Sequence, residues 1–113
     1  MNLSLKDYQI ILVIAPVDGR SGFDKLASIA RMYCNIDVDD KKHAVVFISR
    51  RCNVCKIIFR DARGRTLITR WLNQGSFERF FQRENESPRT KLSRNELMKF
   101  LDGASLQHRP KSI

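Results

Sequence analysis

Three stretches rich in β-branched and aromatic residues follow one another with almost nothing between them: AVVFISR (44–50), VCKIIFR (54–60) and RTLITRWL (65–72). The gaps are Arg51 to Asn53 and DARG (61–64). A parallel pair needs a crossover of roughly a dozen residues or more, whereas gaps this short close only hairpins. The segment is therefore predicted to be an antiparallel meander, with Gly64 free to take the positive φ that a tight hairpin favours. GSF (75–77) reads as another turn, and FERFF (77–81) as a short strand or a helical turn.

The rest of the chain is read around that meander. YQIILVIA (8–15) is apolar, β-branched and stopped by Pro16, the pattern of a buried strand. Pro16 and Gly19 then turn the chain. Phe23, Leu26, Ala27, Ala30 and Tyr33 recur at helical spacing, so a helix is expected over 19–34. Ser21 with Asp24 three residues on resembles a capping box, Asp18 is a rival N-cap one turn earlier, and Gly22 would let the helix start lie close to a strand. NIDVDDKKH (35–43) and QRENESPR (82–89) are polar loops. SRNELMKFLDG (93–103) has Ser93 and Glu96 as a capping box, Leu97, Phe100 and Leu101 on one face, and Gly103 as the stop. The expectation is one α+β domain over 1–106, with a flexible tail over 107–113. An antiparallel sheet of four or five strands would be covered on one face by helices 19–34 and 93–102.

Charge points to the partner. Lys and Arg number 21 against 12 Asp and Glu, a formal net charge of +9. Such an excess favours an anionic partner, nucleic acid first and a membrane surface second, because each neutralised phosphate releases counterions. No apolar run approaches the roughly 20 residues of a membrane span. The start, MNLSLKDY, lacks the features of a signal peptide, and three cysteines make an odd count for a secreted disulfide scaffold. A cytoplasmic protein without a membrane role is expected. Residues 50–70 carry Arg50, Arg51, Lys56, Arg60, Arg63, Arg65 and Arg70 with Asp61 as the only acid. On a meander these bases gather on hairpin tips and one outer face, near Trp71. Arginine fits phosphate bidentately, so Arg50, Arg51, Lys56, Arg60, Arg63 and Arg65 are the candidate DNA contacts. Arg20, beside helix amides, is a candidate second patch. The plainer role for the same residues is a solvated face whose charges discourage edge pairing.

Other chemistry is poorly supplied. Cys52 and Cys55 form a lone CxxC, and neither Cys34, His43 nor His108 completes a zinc set at a recognised spacing. The pair flanks a hairpin turn and not a helix N-terminus, where a redox thiolate is stabilised. Asp18, Asp24 and Asp61 are the acids closest to regular elements, and no further carboxylate is placed on a strand with them for two-metal chemistry. A phosphate-binding glycine loop and a nucleophile elbow are absent. Neither an enzyme nor a cofactor is expected.

The order of blocks resembles one family. APVDGRSGFDKLASIA, HAVVFISRR, KIIFRDARGRTLITRWLNQGSF and KLSRNELMKFLDG follow the pattern of the small accessory protein of insertion sequence family 66. This is its TnpB-type protein, unrelated to the RNA-guided nuclease of the same name. The resemblance runs from about residue 10 to residue 106. Its most specific parts are Pro16 to Leu26, Val46 to Arg51 and Lys56 to Gly64. It implies a non-catalytic protein that supports DNA transposition beside a separate, larger transposase. The alternative within that role is a protein–protein adaptor that docks the transposase without binding DNA itself. The chain departs from the pattern at Gly19 and Ser21, at Cys52 and Asn53 (where Gly-Asp is frequent) and at Leu106 (where an aromatic is common).

Overall fold

The meander forms as the short gaps require. The computed structural model describes residues 5–79 and 87–104. In it, β2 (His43–Ile48), β3 (Val54–Arg60) and β4 (Arg65–Trp71) pair antiparallel in sequence order. The β3–β4 turn is closed by Asp61. Its Oδ1 accepts from the Arg63 and Gly64 amides at 2.8 and 3.0 Å, so the carboxylate does the work expected of a left-handed glycine. Gly64 is not among the residues with positive φ. In the β2–β3 turn it is Cys52 that takes the left-handed conformation, φ 59°, at a position where the family resemblance places glycine.

The first strand departs from the all-antiparallel expectation. β1 (Gln9–Val13) runs parallel to β2, with Gln9 opposite His43 and Leu12 opposite Val46. The intervening α1 (Phe23–Cys34) supplies the crossover that a parallel pair needs. A fifth strand, β5 (Arg89–Leu92), lies antiparallel on the free edge of β1, giving the order β4-β3-β2-β1-β5. β5 starts at Arg89, the last residue of the expected polar loop, and runs on through residues 90–92, for which no strand was expected. Only Leu92 of its four residues is buried, so its pairing rests on backbone hydrogen bonds that hydrophobic patterning does not register.

The helices cover opposite faces of the sheet, not one. Leu26, Ala30 and Cys34 of α1 pack with Ile11, Val13, Val45, Phe47 and Ile58. Leu97, Phe100 and Leu101 of α2 (Arg94–Leu101) pack with Ile10, Leu12, Ala44, Val46 and Ile57. Successive strand residues point to alternate faces, so two helical layers bury both sets and β1 to β3 become nearly continuous buried runs, apolar but for Lys56 in the middle of β3. β4, at the edge, keeps only alternate residues partly covered. Phe77 returns beneath the α2 layer, 1 % exposed, stacked 5.6 Å from Phe100 and donating its amide to the Cys52 carbonyl at 2.6 Å.

The helix ends differ. α2 starts with the expected capping box: Ser93 Oγ accepts from the Glu96 amide at 3.1 Å, and Glu96 Oε1 accepts from the Ser93 amide at 2.9 Å. Gly103, φ 83°, follows its end. The box expected at α1 does not form. Its N-cap is Gly22 without a side-chain cap, Asp24 pairs with Arg65, and the buried Ser21 Oγ has no hydrogen-bond partner. The C-terminus of α1 turns through left-handed Asn35, and Arg89 of β5 donates to the Cys34 carbonyl at 3.0 Å, a cation at the negative end of the helix. Residues Phe80 and Phe81 of the FERFF segment and the tail 107–113 lie outside the described residues.

Candidate functional site

The segment between β1 and α1 is pinned to the β2–β3 hairpin. Val17 forms a parallel bridge with Ser49, accepting from the Arg50 amide at 3.2 Å and donating to the Ile48 carbonyl at 2.9 Å. The turn that follows, closed by the Ser21 amide on the Asp18 carbonyl at 3.0 Å, lies flat against the hairpin. Gly19 permits this: a Cβ there would sit 3.3 Å from the Ser49 Cβ. The hairpin turn is fixed in its own right, because the Cys52 amide donates to the Ser49 carbonyl at 2.9 Å and the Val54 amide to Ser49 Oγ at 3.2 Å.

Between these two turns and the ends of β3 and β4 lies a groove of about 860 Å³. Arg20 stands on one rim and Arg50 and Arg51 on the other. Lys56 and Thr69, which are cross-strand partners, form part of the floor, with Trp71 beside them. Asp18 is the only acid among the lining residues. Trp71 is 65 % exposed and is the sole tryptophan of the chain. Lys56 is 8 % exposed, and its Nζ donates to the Ser21 carbonyl at 2.7 Å. Among the described residues no carboxylate is within ion-pair reach of Lys56, Arg50 or Arg51.

Asp18 is bound to its own turn. It accepts from the Arg20 amide at 2.9 Å and takes the Arg20 guanidinium in a fork, Nε on Oδ1 at 3.2 Å and Nη2 on Oδ2 at 3.0 Å. These hydrogen bonds, first from the side chain and then from the backbone, hold the Asp18 carboxyl well below the usual carboxylate range. Asp18 therefore acts as a turn former and a partial neutraliser of Arg20, not as a helix cap.

The expected basic residues thus divide. Arg20, expected as a separate patch, joins Arg50, Arg51 and Lys56 in one groove. Arg60, Arg63 and Arg65 lie at the opposite end of the β3–β4 hairpin, about 20 Å away at the rise of a strand. Arg60 and Arg65 face each other across the ladder. Arg60 pairs with Asp39 at 3.0 Å, and Arg65 pairs with Asp24 and lies 5.2 Å above the Phe23 ring. Arg63 is exposed at the tip. Lys56 is not on an outer surface: it is buried and lines the groove. The acids do not converge either, since Asp18 holds Arg20, Asp24 holds Arg65 and Asp61 closes the far turn.

The cysteines are core residues. Cys52 and Cys55 belong to the α2-side core and Cys34 to the α1-side core, so the sheet separates them. Burial pushes the Cys55 thiol up to about 12 against an opposing pull from Arg70, and raises that of Cys34. No group of three or more His, Cys, Asp or Glu able to hold a metal occurs among the described residues. Nor is any helix among them long and apolar enough to cross a membrane.

Fold and groove together define a small basic α+β protein with a cationic concave surface. A family model described as IS66 Orf2 like protein matches residues 8–111, and the chain belongs to that family. It is an IS66 Orf2-like accessory protein of an insertion sequence. Neither the curated proteins nor the solved structures compared with the chain give a match.

Proposed function

We propose that this protein is a non-catalytic component of insertion-sequence transposition that binds DNA along its basic groove and assists a separate transposase. The observation that carries the reading is the convergence of Arg20, Arg50, Arg51 and Lys56 from distant parts of the chain on one concavity, opposed by a single acid that already holds Arg20. Anchored turns carry these arginines, so less backbone freedom is lost on binding than on a mobile loop. The cations are suited to phosphate oxygens, which position a protein on DNA without reading sequence. Arg60, Arg63 and Arg65 extend the surface along the hairpin; two of them have acidic partners and contribute less per residue.

Fluorescence anisotropy with labelled duplex, both element-end and random sequence, tests this across a salt series. The expected result is log–log salt dependence with a slope near −0.9 per contacted phosphate. Arg51→Ala should weaken binding about equally for every sequence and reduce that slope by about one contact. Preference for element ends would add sequence reading to backbone binding. No binding at low salt to duplex or to single-stranded DNA would overturn the DNA reading in favour of an adaptor that docks the transposase through this face.

A further inference from the structure

The groove contains a group that phosphate binding does not use. Trp71 ends the edge strand β4, directly opposite Val54 and two residues from Thr69 on the same face. Neither neighbour is large enough to cover an indole, and 65 % of the residue is exposed beside four cationic side chains. Large aromatic side chains are normally buried or half-buried, and a solvated one in a cationic concavity is a stacking platform. In a duplex the base faces are already stacked on one another, and only base edges reach the grooves. An indole on the wall of a concave site meets a base face without cost where the base is unpaired, whereas inside a duplex it must first unstack a base step, which costs free energy.

Resting on the DNA-binding reading above, we infer that the groove is a single-strand site. The Trp71 indole stacks an unpaired base while Arg20, Arg50 and Arg51 on the two rims hold the adjoining phosphates. Lys56 serves as the floor cation. Its amine is buried with the Ser21 carbonyl as hydrogen-bond partner, and the residue lines the groove. Such a site would take a frayed or separated DNA end in preference to an intact helix, independently of base identity, since every base has a π-face.

Because the chain has one tryptophan, its own emission reports the contact. The full-length protein is titrated with an oligothymidylate, which does not self-pair, and separately with a blunt hairpin duplex. The expected result is saturable quenching of Trp71 by the single strand and tighter binding of the single strand than of the duplex. Trp71→Leu should weaken single-strand binding about tenfold by anisotropy. Trp71→Phe should retain most of the affinity, and duplex affinity should stay within about twofold in both variants. At this exposed position neither change disturbs the core, and circular dichroism verifies the fold of both variants. Duplex binding with no quenching by the oligothymidylate, or with Trp71→Leu unchanged toward it, would overturn the single-strand site and leave the DNA-binding reading standing. Absence of binding to either probe at low salt would overturn both.

Discussion

Lys56→Met separates a structural lysine from a functional one. The wild-type amine is buried, and its bond to the Ser21 carbonyl is 2.7 Å long. Removing it leaves that carbonyl without its charged donor, a loss of about 1.5–3 kcal/mol. The same change relieves the cost of keeping an ammonium out of water, several kcal/mol in an interior site. Methionine keeps nearly all of the apolar stem and its packing. The two effects are similar in size and opposite in sign, so folding stability should move by no more than about 1 kcal/mol. Binding has no such compensation. Loss of the floor cation should weaken DNA affinity about tenfold, equivalent to ~1.4 kcal/mol, and lower the salt slope by about 0.9. Urea unfolding gives the first quantity and anisotropy across a salt series the second. A stability loss of about 3 kcal/mol or more with an unchanged salt slope would show that Lys56 is a strut, and would refute the assignment of its charge to the groove.

Asp18→Asn keeps an oxygen for the turn but releases the Arg20 guanidinium, so duplex binding should strengthen at low salt with a salt slope steeper by up to about 0.9. The depressed pKa of Asp18 also fixes the sign of its acid response. Between its folded value and the unperturbed 3.8, the unfolded chain holds more protons, so the stability contributed by this pair is present above that range and fades as pH falls through it. Acid unfolding of Asp18→Asn should accordingly be shallower than that of the wild type over that window. Ser93→Ala removes one half of the α2 capping box and should cost about 1 kcal/mol, seen as a fall of several degrees in Tm by circular dichroism. The thiols of Cys34 and Cys55 should resist a thiol-reactive disulfide reagent near neutral pH in the native protein and react once urea unfolds it; rapid native reaction at Cys55 would contradict its burial.

The meander was legible because gaps of three and four residues admit only hairpins, and α2 because its capping box, apolar face and stop glycine all agree. β5 was not, since Arg89 to Leu92 hold a single apolar residue and their place is set by the open edge of β1. The parallel pairing of β1 follows from the crossover that α1 provides, and the placement of the helices on opposite faces from the double-sided apolar runs of β1 to β3, which a single covered face would not need. At the groove, the basic residues were visible as composition, but their division was not. Arg20 joins Arg50 only because Val17 bridges to Ser49, a contact between segments far apart in sequence. Lys56 follows the alternation of β3 onto the same face as Val54 and Ile58, a signal that the sequence did contain. Trp71 stands in the sequence only as a neighbour of the basic run, because its exposure depends on being the last residue of an edge strand.

The central claim is that DNA occupies the groove between the Asp18–Ser21 turn and the β2–β3 hairpin. Solution NMR of the 113-residue chain titrated with duplex and with oligothymidylate locates the contact directly. The account predicts that the largest amide shifts fall on Gly19, Arg20, Arg50 and Arg51, and that the Trp71 indole N–H shifts more with the single strand. Shifts confined to α2 and β5, on the opposite face and edge of the sheet, would contradict it.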